Sequence, residues 1–268
     1  MKSPASSPAS GRLFSVTLFT FLLLCSALAE ATTWKTAPSF DELVRTSRLA
    51  FRGVVSTIAY HAVAVPGAER AIPYTELTFS VTRAYAGTRD GAEVTLFQAG
   101  GLDPESGMWF GVSGVPSYTE GDVVAVFAND QITPLYGALY GDRGALRILD
   151  VPGAGNRVMS HQLTPLAKKP DGAVGTLAGA RCVPSPMVAS SCNALVDSET
   201  QQRITDPTRL REMRNAMVSV EELDAHIAAV RRSATELAPA QTISGDQESF
   251  RSLYENFIAR LNRADAAR

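Results

Sequence analysis

The sequence predicts a mainly β protein that ends in a helical region, and two observations lead to this fold class. Between residues 48 and 150, short segments rich in β-branched and aromatic residues recur at intervals of about 8–15 residues, without helical periodicity, which favours an antiparallel barrel or sandwich. After residue 206, helix-capping residues and apolar spacings of three and four residues replace that pattern.

The first predicted elements are a capped helix and two long strands. Ser39 and Glu42 have the spacing of a capping box, which predicts a short helix with its apolar residues facing inward. The stretch 48–65 is rich in β-branched and aromatic residues and predicts a long strand. The stretch 74–85 alternates apolar and polar residues, as a half-buried strand of an antiparallel sheet does.

Further strands are predicted after the turn at Asp90–Gly91. Residues 92–99 return as a third strand, and the apolar run 123–128 predicts a strand that is covered on both faces. The stretch 134–150 predicts two more short strands separated by a glycine-rich turn. The β domain, residues 30–160, is expected to end there.

A linker and helices follow this domain. Residues 161–205 are rich in Pro, Gly, Ala and Ser and are predicted to form a disulfide-stapled linker. The region 206–268 is predicted to be helical, with Asp206 as the first N-cap and Pro following it. Ser219 and Glu222 form a second predicted capping box.

The N-terminal residues 1–29 have the parts of a secretory signal peptide. Lys2 and Arg12 supply positive charge, an apolar run follows, and Ala27–Ala29 supplies small residues for cleavage after Ala29, with Ala31 as the alternative. An uncleaved anchor is the other interpretation, but the apolar run is shorter than the about 20 residues of a membrane span. We therefore expect a secreted or periplasmic protein without a stable membrane span after cleavage.

Charge and cysteine content narrow the partners and the compartment. The net charge of −2 shows neither the basic footprint of a nucleic-acid-binding protein nor an acidic tail. Cys182 and Cys192 form a close pair, which in an oxidising compartment predicts a structural disulfide. A redox pair or metal ligands are the alternatives, but the spacing is not C-x-x-C and no histidine lies nearby.

Residues with catalytic potential do not form a recognisable motif. Ser113 and Ser117 do not fit the G-x-S-x-G pattern of secreted hydrolases, and His161 is the one histidine that could serve them as a base. His61, His161 and His226 are far apart and lack metal-ligand spacing, and we expect His226 to be a packed core histidine. The sequence therefore predicts no catalytic residue, no metal site and no cofactor.

Two pairs of acids also require an interpretation. Glu120 and Asp122 flank a glycine, and Asp103 and Glu105 flank a proline. Glycosidase carboxylates come from different elements across a cleft. We therefore expect these adjacent acids to be solvated turn residues.

The glycine-rich segment 100–114 carries large apolar residues and has two interpretations. It is either a glycine-hinged loop that exposes its aromatic residues to a partner, or a bulged strand with Trp109 buried in the barrel. The last predicted helix carries an apolar stripe that packs either on its own domain or on a partner. The candidate binding residues are Met108, Trp109, Phe110, Tyr254 and Phe257.

The β region resembles bacterial exported domains with a netrin-like or TIMP-like barrel of the OB type. The resemblance covers roughly residues 38–150 and rests on three short patterns. These are G-x-V at 53–55, F-x-V-x-x-x-x-x-G at 79–87, and G-[DE]-x-x-[VL]-x-F at 121–127, where Ala125 stands in place of the Val or Leu. The resemblance implies an OB-like antiparallel β-barrel followed by the helical region.

The resemblance also implies a protein-binding module with no catalytic activity of its own. Family members that inhibit metalloproteases place an N-terminal cysteine on the catalytic zinc, but this chain has no cysteine between Glu30 and Arg181. That chelating mechanism is therefore not carried over. Some bacterial members accompany secreted metalloproteases, so an exported protease is the expected partner. A hydrolase with a site of dispersed residues and a structural component of an envelope assembly are the alternatives.

Overall fold

The computed structural model describes residues 38–63, 71–128, 138, 141–188 and 190–234. From Ser39 onward they belong to one compact unit. The predicted signal peptide with its cleavage position after Ala29 and the candidate binding residues Tyr254 and Phe257 lie outside the described residues.

A short helix and a long two-stranded ribbon begin the fold. Helix α1 spans Phe40–Thr46 and is capped as predicted, because the Ser39 hydroxyl accepts the N–H of Glu42 at 3.1 Å. Strands β1 (Leu49–Val63) and β2 (Ile72–Ala86) pair antiparallel over their length. At 15 residues each, they are far longer than the average strand of about five to six residues. The ribbon therefore extends beyond the helices that cover one of its ends.

The strands predicted at 92–99 and 123–128 are confirmed, and of the two predicted within 134–150 the second is β7, while the first falls mainly outside the described residues. The remaining strands are β3 (Glu93–Ala99), β4 (Gly101–Leu102), β5 (Trp109–Phe110), β6 (Val123–Ala128), β7 (Ala145–Val151), β8 (Gly155–Ser160), β9 (Leu166–Lys168), β10 (Val174–Thr176), β11 (Arg181–Pro184) and β12 (Cys192–Val196). Two helices follow, α2 (Pro207–Ala216) and α3 (Val220–Ser233).

The main sheet has six strands in the order β3-β2-β1-β6-β7-β8, and every neighbouring pair is antiparallel. Because β6 returns to lie beside β1, the strands β6-β1-β2-β3 form a Greek key. The outer strands β3 and β8 do not pair with each other in the part of the chain that the structure describes, so the sheet is open there. The fold is thus mainly β, with a large antiparallel sheet and helices after it.

The two faces of the sheet are buried by different elements. Helices α1 and α3 cover one face, where Phe40 packs edge-on against Phe127 of β6 with ring centroids 5.6 Å apart. On the other face, Phe51 and Phe79 are fully buried and pack together at 5.4 Å. Strand β6 lies at the centre and is buried on both faces, as its continuous apolar sequence predicts.

The segment 161–205, predicted as a stapled linker, carries four short strands. Strands β9 and β10 form one hairpin and β11 and β12 another. The predicted disulfide between Cys182 and Cys192 is confirmed, and it joins β11 to β12. Both cysteines are buried in a third apolar cluster, together with residues of β7, β8 and α2.

The C-terminal helices begin at the predicted caps. The Asp206 carboxylate accepts the N–H groups of residues 208 and 209, and the capping box of Ser219 and Glu222 at the start of α3 is complete. Asp224 of α3 then accepts a hydrogen bond from the Tyr85 hydroxyl at 2.5 Å and lies 3.3 Å from the Arg52 guanidinium. These bonds join α3 to the first two strands.

Candidate binding site

A groove forms where the long β1–β2 ribbon extends past its apolar core. Its floor is a row of three side chains that face one another across the sheet, Tyr60 of β1, Thr75 of β2 and Gln98 of β3. The preceding row on the same face is apolar, since Ile58 pairs with Leu77 and Leu77 with Leu96. The groove thus begins at the edge of the hydrophobic core, where the row changes from aliphatic to aromatic and polar.

A bulge in β1 places Tyr60 on this floor. The register shifts between Val55, which pairs with Phe79, and Thr57, which pairs with Thr78. One extra residue in β1 therefore reverses which face the following side chains occupy. As a result, Tyr60 faces the groove together with Thr75, its partner in β2.

Two glycines allow the next hairpin to lie flat on this floor. Gly100 and Gly101 have φ angles of 86° and 121°, which side chains rarely adopt. A Cβ at Gly101 would collide with the Thr75 hydroxyl and lie 2.9 Å from the Tyr60 ring, and a Cβ at Gly100 would lie 2.5 Å from the Phe110 carbonyl oxygen. Close contacts with neighbouring atoms therefore require glycine at both positions.

The hairpin β4–β5 carries three of the candidate binding residues, and two of them, Trp109 and Phe110, line the rim of the groove. Met108, Trp109 and Phe110 are 48%, 62% and 36% exposed. The Trp109 ring meets the Tyr60 ring edge-on, with centroids 5.7 Å apart. Of the two interpretations of this segment, the structure has the exposed one, because Trp109 lies on a surface hairpin and is not buried in the core.

The opposite rim is formed by the segment that contains Pro116 and Tyr118. The Gln98 amide donates to the Pro116 carbonyl oxygen at 3.0 Å, and Tyr118 packs edge-on against Phe79 at 5.7 Å. Burial raises the pKa of the Tyr118 hydroxyl, which therefore stays protonated. The cavity between the rims has a volume of about 100 Å³, and no charged side chain among the described residues lines it.

The structure brings Ser117 and His161 together at one end of this rim. The Ser117 backbone N–H donates to His161 Nε2 at 2.9 Å, and its hydroxyl oxygen lies 3.4 Å from the same nitrogen. Arg147 donates to the Ser117 carbonyl oxygen at 2.6 Å. Burial lowers the pKa of His161 to about 4, and the positive charge of Arg147 acts in the same direction.

This geometry makes His161 a support for the backbone of the turn. Because the lone pair of Nε2 accepts the Ser117 N–H, it is occupied, and the ring proton is assigned to Nδ1. Nδ1 is buried and has no hydrogen-bond partner in the described part of the chain. A Ser-His-Asp site needs a carboxylate at Nδ1 and a free Nε2 directed at the hydroxyl. Neither requirement is met.

The acid Asp122 differs from its prediction. Only 5% of Asp122 is exposed, so the expectation of a solvated turn residue is wrong for it. Its carboxylate lies 3.2 Å from the Arg147 guanidinium and accepts the N–H of Thr119 at 2.8 Å. Glu120 is exposed, but its carboxylate accepts the backbone N–H of Ile58 at 3.0 Å. Both acids thus hold the turn against the sheet.

The other histidines are engaged in separate contacts. His61 lies 2.9 Å from the Glu76 carboxylate and stacks on Tyr74. His226 packs beside Phe40 between α1 and α3, and its ring nitrogen lies 2.7 Å from the Asp41 carboxylate. Within the described ranges no group of three or more His, Cys, Asp or Glu side chains could hold a metal ion.

The disulfide hairpin β11–β12 is bonded to the turn that precedes β6. The Ser190 hydroxyl accepts the N–H of Val123 at 2.7 Å, and its carbonyl oxygen accepts the N–H of Asp150 at 2.8 Å. The tip of this hairpin also exposes an apolar side chain, because Met187 is 88% exposed. The tip is anchored on both sides, because the disulfide closes the hairpin and Ser190 bonds it to the sheet.

Comparison with known proteins gives no relative from which a role for the site could be transferred. No family model, no curated protein and no solved structure matches the chain. No helix in the described part of the chain is both long enough and apolar enough to cross a membrane.

Proposed function

We propose that this protein is an exported, non-catalytic module that binds another protein through the groove beside Trp109, with an exported protease as the partner. The observation that carries the proposal is the exposure of Trp109, 62%, at the rim of an uncharged groove. An exposed tryptophan and a half-buried tyrosine are the side chains that most often dominate the energy of a protein interface.

The physical argument concerns hydration. Large apolar side chains at a surface gain free energy when a partner removes them from water, by about 25 cal/mol per Å² of apolar area. The backbone of Trp109 and Phe110 is held in strand β5, so little backbone entropy is lost on binding. An apolar rim of this kind, next to a concave surface, is typical of a recognition site.

The chemistry of the groove favours binding over catalysis. Among the described residues that line it, Tyr60 and Tyr118 are the only titratable ones, and the Ser117–His161 pair at its edge is occupied in holding the backbone. The lack of charged lining residues also makes a phosphate or nucleic-acid ligand unfavourable. A secreted hydrolase therefore has less support than a binding module.

Fold and compartment support the proposal in part. The Greek-key order β6-β1-β2-β3 agrees with an OB-like barrel, and the TIMP-like resemblance of residues 38–150 suggests the protease partner. The disulfide is compatible with an oxidising, exported location. The proposal therefore includes an OB-like barrel, membership of the TIMP-like family and an exported location.

The test is affinity capture from the exported fraction of the producing cells. Wild-type protein, Trp109→Ala and Met187→Ala serve as baits, and Met187→Ala is the matched control because Met187 is an exposed apolar residue on another hairpin. We expect wild type and Met187→Ala to capture the same partner. Trp109→Ala should capture at least about tenfold less of it. Equal capture by all three baits would overturn the proposal.

The alternative hydrolase is tested separately. Purified wild type, Ser117→Ala and His161→Gln are assayed on chromogenic ester and peptide substrates. We expect no hydrolysis that depends on these two side chains. An activity that both substitutions abolished would replace the binding module with a serine hydrolase.

A further inference from the structure

Among the described strands, only β4 pairs with β5, so the edge of β5 beside Trp109 is free there. The N–H of Asp103 donates to the Met108 carbonyl oxygen at 2.8 Å, and Leu102 faces Trp109 in the register of the hairpin. Hydrogen bonds in an antiparallel pair alternate along each strand. The N–H and C=O of Trp109 therefore point away from β4, toward the open side of β5.

The free edge continues at Gly111. A Cβ built at Gly111 meets no atom within 4 Å, so no described residue covers the face of the backbone to which a side chain would point. In the described part of the chain, no hydrogen bond engages the N–H or C=O of Gly111. Trp109 and Gly111 both line the groove. Two residues apart, they present donors and acceptors at the spacing of one side of a strand.

We propose that the groove binds an extended, uncharged segment of the partner protein, which adds as a strand to the free edge of β5 at Trp109 and Gly111. This inference rests on the proposed function and specifies the form of the ligand. Backbone pairing supplies affinity, and alternate side chains of the segment enter the groove beside Tyr60 and Tyr118.

The groove selects for such a segment in two ways. Its lining has no charge to pair with, so a charged side chain entering it would lose hydration without compensation. The paired donors and acceptors of an exposed strand edge match a polypeptide backbone, whose own groups alternate at the same repeat. A sugar or a lipid tail does not reproduce that alternation.

A displayed library of random heptapeptides is the probe. The full-length protein is screened against it, with counter-selection on Trp109→Ala, and the strongest binder is synthesised with an N-methyl group at each backbone amide in turn. We expect alternate positions to lose about five- to tenfold in affinity and the positions between them to be unaffected, because only every second N–H pairs.

Matched variants of this protein test the same contact from the other side. Gly111→Pro removes the N–H, and Phe110, the preceding residue, is already extended, as a residue before proline must be. Gly111→Ala keeps the N–H and adds a Cβ in open space. We expect Gly111→Pro to bind peptide about five- to tenfold more weakly than Gly111→Ala, because the two variants differ in the N–H that would pair with the peptide.

The outcomes separate the two proposals. A flat N-methyl profile, equal binding by the two Gly111 variants, or enrichment of no peptide would overturn strand addition. Partner capture that still depends on Trp109 in that case would leave the binding function standing. Capture that is independent of Trp109 would remove the binding function itself.

Discussion

The two ends of the β1–β2 ribbon differ, because the same sheet face packs into the core at one end and lines the proposed binding groove at the other. At one end, Phe51 and Phe79 are fully buried and are covered by neighbouring strands and loops. At the other end, the same face carries Tyr60 and Thr75 under a short glycine-hinged hairpin. A strand longer than its core leaves side chains that no longer serve packing. That surplus length is where the binding groove forms.

The difference leads to a simple expectation. Substitutions at the core end should reduce the free energy of unfolding, and substitutions at the groove end should reduce binding and leave stability nearly unchanged. Substitutions at four positions test this difference between the core end and the groove end. They are ordered from the largest expected loss of stability to the smallest.

Phe79→Ala should cause the largest loss. Phe79 is fully buried and contacts both Phe51 and Tyr118, so its truncation leaves a cavity. We expect the free energy of unfolding to fall by about 3–5 kcal/mol. Urea denaturation followed by circular dichroism measures this. A loss below about 1 kcal/mol would mean that the core is not packed around this ring.

Gly101→Ala should break the simple division, because it lies at the groove end but affects the fold. A side chain at a φ of 121° is strained and collides with Thr75 and Tyr60. We expect a loss of about 2–3 kcal/mol and a changed tryptophan fluorescence spectrum as the hairpin lifts. Gly111→Ala, in open space, is the control and should leave both measurements unchanged.

His161 should make stability depend on pH. Its folded pKa of about 4 lies below the ordinary 6.5, so the folded state binds fewer protons than the unfolded state between these values. Stability should be complete above about pH 6.5 and fall by about 1–2 kcal/mol as the pH is lowered toward 4. His161→Gln keeps an acceptor for the Ser117 N–H but does not titrate.

The comparison between the two proteins isolates this histidine. All other ionisable residues are the same in both proteins, so their contributions cancel in the difference of the two pH profiles. Identical profiles for wild type and His161→Gln between pH 4 and 8 would show that the Ser117 contact does not depend on a neutral imidazole.

Trp109→Ala should have the smallest effect on stability. The ring is 62% exposed and touches the fold mainly through Tyr60, so we expect a loss below about 1 kcal/mol in urea denaturation. The same variant should lose partner binding. A loss as large as that of Phe79→Ala would place Trp109 in the core and would contradict the division between the two ends.

Local patterns in the sequence predicted much of the fold. The caps at Ser39, Asp206 and Ser219 satisfy backbone N–H groups within four residues, so they are visible in the sequence. The alternation of β2 and the continuous apolar run of β6 likewise follow from which faces are covered. The disulfide could be predicted from the spacing of the two cysteines together with the predicted export to an oxidising compartment.

Contacts between distant residues were not predictable in the same way. The Ser117–His161 contact joins residues 44 positions apart, and the burial of Asp122 depends on Arg147 from another strand. The bulge in β1 has no marker in its sequence, because Val55 and Thr57 are both ordinary strand residues. The sequence predicts a linker at 161–205 because that stretch is rich in Pro, Gly, Ala and Ser, and strands β9 to β12 within it are only three to five residues long.

The glycine pair at the base of the hairpin has a consequence for how the groove can change over time. Gly100 and Gly101 meet the steric demands of the fold, which frees the three residues at the tip, 108–110, from any packing role in the core. The residues at the tip can therefore be exchanged without disturbing the sheet that supports them. If the groove binds a partner as proposed, new combinations of these three side chains would change which partner it recognises while the sheet beneath them keeps its sequence.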